Sequence, residues 1–572
     1  MKARIQCRGP RAGPPGAGVA LVLALLIALA AGSIGAAIPP DALEEIRHLA
    51  ILHNGRLKPF DSFARETLER LTGSPSLREE DPVQTVLSIA LFPDHWQEIP
   101  LVSVPFIPLR EKLGMDRRAR RVSYNNLVET RALMRMLPSI VEKQQEGEKL
   151  SILENETMDV FDRFLLLSSL FKQEFHLVPP AENPSAPKAK SQLHAAWLPI
   201  LQPEGYPEGR QTEIRNTWES LAASVRQNDP KVITTSTHAL STLLGGMNPQ
   251  GYPASWRLRL EVFYNRSGIF RIARIFYGMA ALFLLMGLLR GKGAVLSLGS
   301  ATLFAGFLLH GAGILIRVIL AGRPPVSNFY ETMLWMPFVA VGLALFFERI
   351  YRAGAFGFSA AILAGLVLLL ADHLPLDSSI SPVVAVLRSN LWLTIHVLTM
   401  VGSYAPITLG LVLAHIYGVI YLTRGARDPS LEKLGIYLYR SIQVGVVLLA
   451  AGIMLGAVWA NASWGRYWGW DPKETWALIT LLWFLSVLHG RFAGWLKGVG
   501  VAVSTIAGFF LLLMTYYGVS FYLVGLHSYA GGHAKPIPPL LLGYVGLEII
   551  FLFILSFVAL LRKPVSDTRS TF

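Results

Sequence analysis

Cysteine is almost missing from this chain. Cys7 is the only one, and it precedes the first apolar run. That excludes a disulfide framework, a CxxC redox pair and a thiolate metal site within the chain. Any metal or cofactor must be held by His, Met, Tyr or carboxylates. Charge is scarce too. Only 16% of the 572 residues are charged and 52% are hydrophobic, where a soluble protein carries about a quarter charged. Acidic residues are fewer than basic ones, 39 against 52. Nucleic acid is nevertheless not the implied partner, because many of these cations stand in short loops between apolar runs, where they set membrane orientation.

What is present is a series of long apolar runs. Residues 1–37 hold Lys2, Arg4, Arg8 and Arg11, then an apolar stretch ending in small residues. They read as a signal sequence or an N-terminal anchor, and the length of the stretch favours the anchor. Residues 38–268 have mixed charge and no run of membrane length. They are expected to form a mostly helical extracytoplasmic domain. Within it, "DSFARETLERLTG" predicts a helix capped by Asp61 and stopped at Gly73, and "PPAENPSAPKAKS" (179–191) predicts a flexible linker. Residues 269–561 then predict nine membrane spans, at about 270–289, 294–320, 330–349, 355–371, 391–422, 442–462, 475–489, 499–524 and 539–561. A cytoplasmic tail, 562–572, ends the chain. The fold class is therefore an all-α polytopic membrane protein. Arg290, Lys292, Arg349, Arg352, Arg424, Arg427, Lys433, Arg440, Arg491 and Lys497 all fall in alternate loops. The positive-inside rule makes those loops cytoplasmic and the 38–268 region external, in a bacterial cytoplasmic membrane.

The external side then receives "SWGRYWGWDPKETWALITLLWF" (463–484). Asp471, Pro472 and Glu474 form a helix start with a capping box. Trp at a membrane boundary is ordinarily an aromatic belt. Trp459, Trp464, Trp468, Trp470 and Trp476, with Tyr467 and glycines at 465 and 469, exceed what a belt needs. Flat indoles hinged by glycine suit a flat, apolar, poorly soluble partner, and haem fits that description. His396, in "LWLTIHVLTMVGSYA", and His527, in "GLHSYA", reach the same side. Neutral imidazole is a good axial ligand for haem iron. A helix-packing role is the ordinary alternative for a lone membrane histidine. His48, His53, His95, His176, His194 and His238 show no metal-ligand spacing and read as structural.

These stretches resemble a known family. The tryptophan-rich (WWD) segment, "GRPPVSNFYET" (322–332), the two external histidine segments and "LHGRFAGW" (488–495) are similar to the CcsA (ResC) branch of the cytochrome c synthase system. The likeness covers about 270–561, and "HNGRLKPFDSFARE" resembles the external domain of long or fused synthases. The resemblance implies that haem b, bound non-covalently and in transit, is held at the outer surface by His396 and His527 against Trp464, Trp468, Trp470, Asp471 and Trp476. It implies that His489 binds haem within the membrane. The family takes a second intramembrane histidine from a ResB (CcsB) component, and no such sequence is present here. A separate partner, or His415 or His310, is expected to supply it, with geometry favouring His415.

The implied role is in cytochrome c biogenesis, as a component of a cytochrome c synthase (haem lyase) that assists thioether attachment of haem to apocytochrome c CxxCH segments. No acid, base or nucleophile of this chain is required, so no catalytic residue is expected and thiol-reducing proteins act elsewhere. A haem exporter without ligation activity, and a membrane redox subunit with permanent b-type haems, stay open as alternatives.

Overall fold

The computed structural model describes residues 38–562 except 78, 182–196, 249–250, 375, 383–390, 524 and 528–536. The leader or anchor, most of the expected linker and the tail beyond Arg562 lie outside the described residues. Among those residues nine helices are long and apolar enough to cross a membrane. We number them α1 Ile269–Arg290, α2 Gly293–Ala321, α3 Phe329–Tyr351, α4 Ala355–His373, α5 Leu391–Arg424, α6 Ser430–Trp464, α7 Pro472–Phe492, α8 Gly498–Tyr522 and α9 Pro539–Leu561. The protein is an all-α, multi-pass membrane protein.

The helix ends follow the expected spans closely, with one exception. α6 begins at Ser430, twelve residues before the apolar run predicted from 442. Its added turns bury Leu431, Leu434 and Leu438 on one face and leave Glu432 and Lys433 exposed. Apolar length reports only the lipid-immersed part, whereas backbone hydrogen bonding continues as long as one face can pack.

α5 is the most enclosed span and α9 the least. α5 lies closely against α6 because a glycine row on α6 has no side chains to keep the backbones apart. A Cβ at Gly445 would fall 2.5 Å from Ile407, at Gly452 3.0 Å from the Met400 sulfur, and at Gly456 2.5 Å from the His396 ring. Spacings of seven and four keep these glycines on one helix face, and small residues along such a face are the usual means of close helix approach in lipid. α8 is interrupted by a π-turn, Met514–Gly518. Thr515 Oγ1 within it meets the Trp476 carbonyl at 3.0 Å and Thr480 Oγ1 at 2.9 Å, joining α8 to α7.

The described residues from 38 to 252 form a helical unit with its own hydrophobic core. It includes a hairpin, β1 Ala50–His53 and β2 Arg56–Pro59, turned by Asn54 and Gly55 with both φ positive. The following helix starts at Phe60, so Asp61 is not its cap. Asp61 is fully buried and bonds Arg47 at 2.7 Å and Arg65 at 2.9 Å. The carboxylate went to a buried arginine network, leaving the helix start to Pro59. Gly73 ends that helix in the left-handed region, as expected. A connecting helix, Ser255–Ser267, leads through Gly268 into α1. Its Glu261 accepts from Arg56 at 2.6 and 2.8 Å and from Ser62 at 2.6 Å, and Arg257 donates to the Leu320 carbonyl at the end of α2. These contacts seat the helical unit on one end of the membrane bundle.

Candidate functional site

A cavity of about 1390 Å³ lies between that unit and the bundle, larger than an ordinary small-ligand pocket of roughly 300–1,000 Å³. Its roof comes from Arg56, Leu57, Trp197, Tyr252, Trp256 and Glu261, and its walls from α3, α5, α6, α7 and α8. His396, Trp459, Tyr467, Trp468, Lys473, Tyr516 and His527 line it.

The loop 322–328 and the start of α3 make one wall. Gly322 ends α2 with φ +66, and Asn328 caps α3 by accepting from the Glu331 amide at 2.8 Å. Glu331 is fully buried between Arg317, at 2.9 Å, and Arg323, at 2.7 Å. Arg317 also donates to the carbonyls of Ser378 and Ser379, both at 2.9 Å, which fastens the α4–α5 loop. Both oxygens of Glu331 are thus committed to holding loops together, and the loop motif is scaffolding for the cavity.

His396 and His527 both line the cavity. His396 Nδ1 lies 2.8 Å from the Gly452 carbonyl. A carbonyl only accepts, so Nδ1 carries the proton and Nε2 keeps its lone pair. His527 Nδ1 lies 2.8 Å from Asp471 Oδ1, a carboxylate that accepts its proton, so Nδ1 is the engaged nitrogen there too. Among the described residues neither Nε2 has a hydrogen-bond partner. Both rings stand beside one indole: His396 is stacked with Trp459 at 6.1 Å between centroids, and His527 is tilted to it at 5.8 Å. Trp464 meets His527 edge-on at 5.2 Å and Trp459 at 4.7 Å. Two imidazoles, each braced at Nδ1 by an acceptor, fit the donor set of a bis-histidine iron site.

Asp471 does two jobs. It caps α7, with Oδ1 accepting from the Lys473 amide at 2.9 Å and Glu474 completing the capping box. It also orients His527 and accepts from the Leu526 amide at 2.6 Å. Burial disfavours its ionised form, but the hydrogen bonds from His527 and from the Lys473 and Leu526 amides outweigh that and hold the carboxyl below the usual carboxylate range. Gly525 admits this approach, since a Cβ there would sit 2.3 Å from Asp471 Oδ2.

The tryptophans are not equivalent. Trp468 lines the cavity, Trp464 braces Trp459 and His527, and Trp470 packs edge-on to Trp468 at 5.7 Å while remaining largely exposed, its φ held at +58. Trp476 is half-buried beyond the cavity lining. Trp459 is the central indole. It is 1% exposed, and its N–H has no acceptor among the described residues. Spacing alone does not set it apart from the other four tryptophans, nor does it single out Gly452, Gly456, Gly525 or Lys473. The signal for the glycines was present as "GIMLG" on α6.

The other membrane histidines stand apart from this cavity. His489 follows Asp471 by 18 residues, about 27 Å along α7, and His415 follows His396 by 19, about 28 Å along α5. His489 Nδ1 is tied to the Leu485 carbonyl at 2.8 Å, and the side chain is exposed on the bundle surface. His415 uses both nitrogens, Nδ1 on the Leu411 carbonyl and Nε2 on Glu548 of α9 at 2.9 Å. His310 is fully buried among Phe270, Tyr277 and Phe338, with the Tyr277 hydroxyl 3.1 Å from Nδ1.

Comparison with known proteins identifies a family. The family model described as "Cytochrome C assembly protein" matches residues 326–527. The chain is 31% identical over 512 residues to protein NrfI of Wolinella succinogenes, an alignment covering 84% of this chain and 54% of that protein. The chain therefore spans about half the length of NrfI, and the likeness extends beyond the membrane bundle into the helical unit. It is 35% identical to the cytochrome c biogenesis protein CcsA of Prochlorococcus marinus strain MIT 9312, over 38% of this chain and 79% of the relative. With CcsA of Mesostigma viride it shares 34% identity over 45% of this chain and 92% of the relative.

Proposed function

Because the chain belongs to the cytochrome c assembly protein family, we propose that its cavity holds haem b, non-covalently, while the porphyrin is presented to apocytochrome c. His396 and His527 are the axial ligands, and Trp459 and Trp468 supply the aromatic walls. The observation that carries this reading is that His396 and His527 line one indole-walled cavity, each held at Nδ1 by an acceptor.

In this reading the helical unit and the cavity lie on the outer face of the cytoplasmic membrane. The CxxCH histidine displaces one imidazole, and each cysteine thiol adds across one vinyl double bond. Sulfur bonds the inner vinyl carbon and the thiol hydrogen goes to the terminal carbon, with no net oxidation or reduction. The chain contributes proximity and orientation, which can supply most of such a rate enhancement. His489 holds haem on its way through the membrane. Its exposed side chain favours a second ligand from a ResB/CcsB-type partner, because His415 is already engaged by Glu548.

The test is co-expression with that partner and a reporter apocytochrome in cells lacking their own maturation system. The His396→Ala, His527→Ala double variant should insert normally, purify without haem at this site and yield no haem-stained cytochrome. Normal haem content and maturation in that variant would refute the assignment.

A further inference from the structure

Lys473 lies inside the helix start that Asp471 and Glu474 cap, yet its side chain caps nothing. Its amide donates to Asp471 Oδ1, the same oxygen that accepts from His527 Nδ1. One carboxylate therefore fixes both the imidazole and the backbone that carries the ammonium. Lys473 Nζ points along the cavity wall and donates to Ser520 Oγ at 2.7 Å, while the Ser520 hydroxyl donates onward to the Tyr516 carbonyl at 2.7 Å. Ser520 stands two residues after the π-turn of α8, which ends at Gly518.

An ammonium has three donors, and one of them is used here. Among the described residues Lys473 makes no ion pair, whereas of the arginines lining the cavity Arg56 is paired with Glu261, Arg323 with Glu331, and Arg257 donates to the Leu320 carbonyl at the end of α2. A cation on the wall of an aromatic cavity is costly unless something negative meets it. His396, Lys473 and His527 all line this one cavity.

Resting on the reading of this cavity as a porphyrin site, we infer that Lys473 Nζ receives a propionate carboxylate of the haem and sets the rotation of the macrocycle. Two axial imidazoles centre the iron but leave the ring free to turn in its own plane. The two propionates lie on one edge of the porphyrin and the vinyl groups lie on the opposite side. A single charged contact at the carboxylate edge therefore decides where the vinyl groups point. Lys473 is a positioning residue in this scheme, acting on substrate orientation and not on the bonds being made.

The experiment titrates the full chain in detergent with ferric haem and with its dimethyl ester, which keeps the iron and vinyl groups but loses both charges. The wild type should favour the diacid. Lys473→Met should cut that preference by roughly tenfold or more, the worth of one charge-assisted hydrogen bond, with the six-coordinate low-spin band unmoved. Lys473→Arg should restore it. An unchanged preference in Lys473→Met, or equal weakening for acid and ester, would overturn the inference. A wild type that forms a low-spin complex with neither porphyrin would overturn the porphyrin reading itself, a separate and visible failure.

Discussion

Asp471 shows how one residue can serve packing and chemistry together. As an N-cap it contributes about 1 kcal/mol to the start of α7, and as the acceptor for His527 Nδ1 it fixes which nitrogen faces the cavity. Asp471→Ala should therefore do more than a lost cap. Haem affinity should fall roughly 10–100-fold, the usual cost of losing the partner behind a metal-ligating histidine, and a high-spin fraction should appear by absorption spectroscopy. Unaltered affinity would reduce Asp471 to its capping role. At this scale the sequence was informative about residue type but not about which pairs meet. Asp471, Pro472 and Glu474 announce a helix start by spacing alone. That Asp471 also reaches a histidine 56 residues away depends on the loop at Gly525, and no local pattern encodes that contact.

The helices were legible because lipid allows few solutions. A span must satisfy its backbone internally, so an apolar run of the right length is a helix, and eight of nine predicted spans end within a few residues of the observed ones. α6 is the exception because its first turns pack with a polar outer face. What stayed hidden is how helices meet. Gly456 looks ordinary in an apolar run, yet the His396 ring occupies the space its side chain would need. Gly456→Leu should push His396 off the Gly452 carbonyl and leave His527 as the only ligand, giving a five-coordinate high-spin spectrum in folded protein. A low-spin spectrum like that of the wild type would contradict the α5–α6 packing. Likewise, the engagement of His415 could not be read from its own span, because Glu548 lies 133 residues further on.

At the scale of the whole molecule, the helical unit roofs the cavity and is held there by a few charged contacts. Arg56 and Glu261 are both largely buried, and removing one partner of a buried pair costs about 3–5 kcal/mol, whereas removing both costs less. Arg56→Met should speed haem dissociation and expose the connecting helix to protease, and the Arg56→Met, Glu261→Met double variant should be milder than the single. Equal haem off-rates in all three proteins would show that the roof does not close the site. Orientation has its own check. In a Cys7→Ser background, Glu142→Cys should be labelled by an impermeant maleimide on intact cells and Arg427→Cys should not. The reverse pattern would invert the topology and remove the site from the outer surface.

The most direct measurement is the electron paramagnetic resonance spectrum of ferric haem bound to the purified full chain, compared among the wild type, His396→Ala and His527→Ala. Two imidazoles on one iron predict a low-spin signal for the wild type and a high-spin signal for each single variant. A low-spin signal of the wild-type form surviving in either variant would mean that the two histidines do not share a metal.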